Sequence, residues 1–150
     1  MPEKIVIAAD HAGYSLKEAL KPYLTEMGLV VTDFGTDSDQ AVDYPDTGGK
    51  AAEAVSTGLF PRGILICGSG VGMSIVANRF PGVRAALCLD EGMARLSRMH
   101  NDANILVLAS RMTDMETAVG ILRVWLTTPF EGGRHQRRLD KISEIELKLK

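Results

Sequence analysis

Gly63-Ile64-Leu65-Ile66-Cys67-Gly68-Ser69-Gly70-Val71-Gly72-Met73-Ser74 decides the fold. A short apolar run ends in a cysteine, the cysteine opens into a glycine-rich loop, and a helix-forming stretch follows. A continuous apolar run of this length, without polar alternation, predicts a strand buried on both faces, as in a parallel sheet. A thiol at the tip of such a strand faces backbone amides and the N-terminus of the next helix. That electropositive position lowers a thiol pKa and attracts anions. The stretch therefore predicts an enzyme in which Cys67 acts as a base or a nucleophile.

Four further runs rich in Ile, Val or Leu surround it: Lys4–Ala9, Val30–Phe34, Arg84–Leu89 and Asn104–Ala109. Segments of helical spacing alternate with them. Ser15–Met27 sets Leu16, Leu20, Tyr23, Leu24 and Met27 on one stripe, with Gly28 placed to end the helix. Ser15 and Glu18 have capping-box spacing. Asp46–Thr57, Gly72–Arg79, Glu91–Met99 and Thr113–Thr127 complete the alternation. Strands alternating with helices predict a three-layer α/β/α doubly wound sheet of five parallel strands, Rossmann-like, in one domain over residues 1–150. A last helix, Arg134–Leu149, has no strand after it, and Leu139, Ile142, Ile145 and Leu149 share one stripe. It covers the sheet or lies on a partner subunit.

Composition narrows the function classes. Hydrophobic residues make up 45% of the 150, enough for a core, and the formal charge of −2 gives no global attraction to nucleic acid or anionic membrane. No apolar run is long enough for a transmembrane helix. The N-terminal residues Met1-Pro2-Glu3-Lys4-Ile5 lack a signal-peptide pattern. Cys67 and Cys88 each lie in a strand-like run, which fits free thiols in a reducing cytoplasm.

Ligands gather at the carboxyl ends of strands in an open parallel sheet. There the sequence places Asp10-His11-Ala12-Gly13, Cys67 with its loop, Ser110-Arg111 and, after the second strand, Asp43-Tyr44-Pro45. The opposite edge carries Met99-His100-Asn101-Asp102 and the stretch Gly132–Arg138. Arg134 and Arg138 are four apart, share a helix face and suit a phosphate. His135 lies between arginines and either tunes the site or meets solvent. Because these groups, with His100, stand opposite Cys67, a two-fold dimer is expected to bring one subunit's far edge over its neighbour's near edge. Cys88 reads as core.

Other chemistries fit less well. Gly68-Ser69-Gly70-Val71-Gly72 lacks the third glycine of a dinucleotide fingerprint, where Met73 stands, although Asp90 follows at a suitable distance. No P-loop lysine follows the glycines. No His, Cys and carboxylate cluster has zinc spacing, and His100-Asn101-Asp102 is too compact to chelate. The expectation is no metal and no cofactor. A thiolate beside amides, an imidazole, an aspartate and distant arginines suit proton abstraction next to the carbonyl of a sugar phosphate. The thiolate takes a carbon-bound proton, the loop amides hold the enediolate oxygen, and the thiol returns the proton to the neighbouring carbon. Helix and amides would bring the thiol from about 8.5 towards about 7, where ionisation and base strength balance.

The chain resembles the type B ribose-5-phosphate isomerases, grouped with galactose-6-phosphate and allose-6-phosphate isomerases. The likeness rests on Ala9–Gly13, Asp43–Pro45, Ile66–Gly72, Ala77-Asn78, Ser97–Asn104 and Phe130–His135. It implies interconversion of D-ribose 5-phosphate and D-ribulose 5-phosphate in the pentose phosphate pathway, and a homodimer with shared sites, sometimes paired into tetramers. By resemblance Cys67 is the base between C1 and C2. His100 opens the furanose ring, with Asp10 near the ring oxygen or hydroxyls, and Ser69, where many members have threonine, stands beside the thiol as its hydrogen-bond partner. Gly68, Gly70, Val71 and Gly72 resemble the anion hole. Asn101 lies near substrate, Tyr44 forms a pocket wall, and His11, Arg111, Arg134 and Arg138 contact phosphate and substrate. A second branch uses a loop glutamate as base. Met73 occupies that position here, so the chain resembles the cysteine branch. A six-carbon sugar phosphate or a rare free sugar is the alternative substrate, and a non-catalytic nucleotide-binding module is the remote one.

Overall fold

The computed structural model describes residues 1–149. In chain order the elements are β1 (Lys4–Ala9), α1 (Tyr14–Glu26), β2 (Val30–Asp33), α2 (Tyr44–Ser56), β3 (Arg62–Cys67) and α3 (Val71–Ala77). They continue with β4 (Ala85–Leu87), α4 (Glu91–Asn101), β5 (Ile105–Ala109), α5 (Met115–Thr127) and α6 (Arg134–Lys148). All strand pairs are parallel, in the order β2-β1-β3-β5-β4. The Rossmann-like sheet expected from the five apolar runs is the observed one.

The continuous apolar runs arise because both faces of the central strands are covered. Ile5, Ile7, Ile64 and Ile66 face one layer with Leu20, Leu24, Ile121 and Trp125. Val6, Ala8, Leu65 and Cys67 face the other, with Ala51, Ala52, Met73 and Ala77. Each large side chain in these layers contributes about 1.5–3 kcal/mol by leaving water. The two outer strands differ from expectation. β2 and β4 are short and only partly buried, because an edge strand has a neighbour on one side. Arg84–Leu89 thus shrinks to three strand residues.

The start of α1 also departs from the sequence reading. The helix begins at Tyr14, its N-cap is Gly13, and no side chain caps it. Asp10 closes the turn instead, its Oδ1 accepting from the Gly13 N–H at 3.1 Å. Glu18 is drawn away from capping by Lys17 and Lys21, both 2.8 Å from Oε2. Lys17 is almost fully buried and pairs with Asp33 at the end of β2, which Lys21 also contacts at 2.9 Å. Burial opposes ionisation of Asp33, but hydrogen bonds from Lys17, Lys21 and the Gly35 N–H outweigh it and hold the carboxyl low. Hydrogen bonds to Asp33 and Glu18 push Lys21 up to about 12. These pairs pin α1 to the end of β2.

Candidate active site

Strand order fixes where the site must lie. From β1 the chain moves one way to β2, then crosses to β3 on the other side. The crevice above β1 and β3 is the reversal point, where open α/β sheets bind ligands. Register puts Ala9 opposite Ile66 and Cys67 opposite Ala109. The Asp10 N–H donates to the Ile66 carbonyl at 3.2 Å, so Asp10 stands beside Cys67. Ser110 and Arg111 continue β5 across the loop, their N–H groups donating to the Cys67 and Gly68 carbonyls at 2.9 and 3.0 Å.

A cavity of about 320 Å³ opens there, lined by Asp10, His11, Tyr44, Cys67, Gly68, Ser69, Gly72 and Arg111, with Ala12 and Met112. Its size is within the usual range for small-molecule sites. Cys67 is only 4% exposed, yet it forms part of the wall. Tyr44 begins α2, two residues before the helix expected at Asp46, because Pro45 fits the first helical turn. Its ring lies on Gly72. A Cβ at that position would come within 2.6 Å of the ring. The Arg111 guanidinium lies over Gly68. His11 is held from behind: its Nδ1 lies 3.1 Å from the Val42 nitrogen and 3.2 Å from the Val42 oxygen.

The loop itself needs a left-handed residue. Gly70 has φ +77° and a Cβ there would run into Leu87. This turn leaves the amides of Gly68, Ser69 and Gly70 without a hydrogen-bond acceptor among the described residues. Two details bear on the expected anion hole and thiol partner. The Val71 amide is not free for an anion, because it donates to Ser69 Oγ at 3.2 Å. Ser69 Oγ thereby accepts from the start of α3, and its own O–H remains a donor. In addition, α3 has seven residues, ending at Ala77 and not Arg79. Its contribution to the site is a set of first-turn amides more than a long macrodipole.

His100, Asn101, Arg134 and Arg138 are not in this cavity. His100 and Asn101 form the last turn of α4, which runs back along the sheet for roughly 16 Å. Arg134 and Arg138 are exposed at the start of α6. The topology therefore separates them from Cys67 within one chain, as the strand assignment anticipated. What the sequence reading missed is how His135 sits. It is 4% exposed, not solvated, and its ring stacks on His100 with centroids 4.2 Å apart and planes 12° from parallel. Glu131, not singled out from the sequence, places Oε2 3.7 Å from His135 Nε2. The Glu131 N–H donates to the Met99 carbonyl at 3.1 Å, which ties this loop to α4. Burial depresses the His135 pKa, and His100, Arg134 and Arg138 act in the same direction against Glu131. Contrary to the expectation of no ligand cluster, nitrogen or oxygen atoms of His100, Glu131 and His135 all lie within 4.8 Å of one another. Glu131 precedes α6, so helix-face spacing gives no signal for its pairing with His135.

A further cavity of about 490 Å³, by Arg62, Arg84 and Arg98, lies away from this chemistry. Its guanidiniums are engaged by Glu3, Asp102 and backbone carbonyls, so it offers no free charge. Cys88 is buried, and burial raises its thiol to about 11, as suits a core residue. No helix among the described residues is long and apolar enough to cross a membrane.

Fold and cavity together define a class: an enzyme with a thiol and a carboxylate side by side at the reversal point of a parallel sheet, facing free amides. The ribose/galactose isomerase family model matches residues 5–142. Ribose-5-phosphate isomerase B of Escherichia coli strain K12 is 46% identical over 144 residues, covering 96% of this chain and 97% of that protein. The structure of Clostridium thermocellum ribose-5-phosphate isomerase B superposes with a TM-score of 0.96 at 52% identity, covering 98% of this chain and 99% of that one. The Thermotoga maritima ribose 5-phosphate isomerase structure gives a TM-score of 0.91 at 53% identity, over 95% and 98% of the two chains. This chain belongs to the ribose/galactose isomerase family and is an isomerase.

Proposed function

We propose that this enzyme interconverts D-ribose 5-phosphate and D-ribulose 5-phosphate through a cis-enediolate, with Cys67 moving the proton between C1 and C2. The carrying observation is the pairing of Cys67 with Asp10 in one cavity beside the unpartnered amides of Gly68, Ser69 and Gly70. The thiolate removes the C2 proton of the open-chain aldose, and the negative charge moves to the carbonyl oxygen. The amides stabilise that oxyanion. The thiol then delivers the proton to C1, which gives the ketose with no change in overall oxidation state and no cofactor. Asp10 handles hydroxyl protons, while His11 and Arg111 hold the anionic substrate and Tyr44 walls the pocket. Gly70 and Gly72 shape the loop around the substrate.

His100, with Asn101 beside the substrate, opens the furanose ring, and Arg134 and Arg138 take the phosphate. For those four to act on the same molecule as Cys67, they must come from a second copy in a homodimer. Exposed apolar side chains support such a partner: Val71 and Ile75 on α3, Leu89 before α4, and Met93 and Leu96 on α4. The helices that carry them flank edge strand β4. Residues 1–150 act as one isomerase domain in the cytoplasm.

The test is exchange. With ribose 5-phosphate in deuterated water, the wild type should isomerise and wash deuterium into C2, followed by NMR. Cys67→Ala should do neither. Exchange persisting in Cys67→Ala would assign the base to another group.

A further inference from the structure

The cluster at the end of α4 has a property that sugar isomerisation does not use. Among the described residues, His135 Nε2 is buried without a hydrogen-bond partner. At 3.7 Å, Glu131 Oε2 is too far to accept from it and faces it across a gap. Burying an imidazole nitrogen with nothing to bond is unfavourable, so native structures seldom leave such an atom without a role. His100 completes a set of two imidazoles and one carboxylate whose donor atoms lie within 4.8 Å of each other.

We propose that His100, Glu131 and His135 form a site for a borderline divalent transition ion, with Zn²⁺ as its representative, and that occupancy inhibits the enzyme. Two imidazole nitrogens and a carboxylate oxygen are a three-ligand zinc set, with water free to take the fourth position. Mixed nitrogen and oxygen donors select Zn²⁺ over Mg²⁺ and Ca²⁺, which take oxygen ligands. The elements around the site already bring the donors close. Helix α4 ends at His100, the 131–133 loop is tied to Met99 through the Glu131 N–H, and α6 begins one residue before His135. The near-parallel stack means that both lone pairs cannot meet one ion as the rings stand. His100 is only partly buried and sits on the last turn of its helix, so rotation about its χ2 brings a nitrogen round. Arg134 and Arg138 oppose a cation here, but both are exposed to solvent, where screening weakens them. Glu131 supplies the compensating negative charge.

Inhibition rests on the reading of His100 as the ring-opening residue, because a metal-bound imidazole cannot handle that proton. Binding does not rest on it. The experiment therefore reads the two separately on the full chain in chelator-free buffer. Co²⁺ is titrated and followed by its visible d–d absorption. Zn²⁺ is then titrated by calorimetry and, in parallel, against isomerase rate. We expect one equivalent per chain, weakening of about tenfold or more in Glu131→Gln, and a larger loss in His135→Gln. Cys67→Ser and Cys88→Ser should bind as the wild type does, and Mg²⁺ should neither bind nor compete. Absence of Co²⁺ and Zn²⁺ binding overturns the site, as does binding that survives Glu131→Gln and His135→Gln together or that is lost in Cys67→Ser. Stoichiometric Zn²⁺ binding with an unchanged rate leaves the site standing and removes the inhibition, together with the role given to His100. Circular dichroism of both variants establishes that any loss is not unfolding.

Discussion

The two ends of the sheet are assembled in different ways. At the carboxyl end, Asp10, Cys67 and Arg111 follow closely on the last residues of adjacent strands, and ladder register places them in the same cavity. At the other end, His100, Glu131 and His135 come from a helix terminus, a loop and the start of a C-terminal helix. Side-chain packing and backbone bonds such as that from the Glu131 N–H to the Met99 carbonyl hold them together. The first cluster inherits its geometry from the backbone. The second depends on how α6 seats against α4. The proposed thiol chemistry falls to the first cluster, whereas the proposed ring opening and phosphate capture fall to the second.

The sharpest way to break this contrast is complementation. Cys67→Ala and His100→Ala should each lose isomerase activity on ribose 5-phosphate by about 10²–10⁴-fold, the usual weight of a positioned acid or base. If sites are shared across a two-fold axis, unfolding and refolding the variants together in equal amounts should restore about a quarter of wild-type activity. Half of the dimers are then mixed, and each mixed dimer has one intact site. No recovery would place both residues in the same chain's site. Next in size, Arg134→Ala and Arg138→Ala should each raise KM for the phosphorylated sugar about tenfold or more while leaving free ribose little changed. Steady-state kinetics on both sugars decide it, and equal losses would remove the phosphate role.

On the rigid end, Gly70→Ala should lower stability by about 2–4 kcal/mol in urea unfolding. The left-handed conformation accounts for about 1–2 kcal/mol and the overlap with Leu87 for the remainder. An unchanged midpoint would show that the loop relaxes freely. The smallest effect concerns the anchor of α1. Asp33 is held low in the fold, so its stabilising contribution is complete above about pH 4, its unfolded value. It is lost as pH falls through the folded value. Lys21, raised to about 12, works in the opposite sense: its share is present below about 10.4 and is lost as pH rises through about 12. Asp33→Asn should therefore flatten the acid side of a Tm-against-pH curve. A variant with the wild-type acid slope would move that slope to other carboxylates.

Much of this was legible in the chain because it is local. Five apolar runs and the intervening helical spacings required a parallel sheet, since only burial on both faces makes Ile64-Leu65-Ile66-Cys67 free of polar residues. Asp10, Cys67 and Arg111 were placed together by the rule that strand ends share an edge. Errors arose where a nearby competitor won. Glu18 has capping-box spacing but prefers two lysines.

The chain alone thus determined the sheet, the two-sided core and the thiol at its carboxyl edge, because periodicity and chain order carry that information within a few residues. Tertiary structure decided the edge strands, the lysine partners of Glu18, and the burial of His135 against His100 with Glu131 opposite. Those features depend on contacts between residues distant in sequence, or on which of two nearby partners a side chain reaches first. No spacing rule in a single chain encodes that outcome.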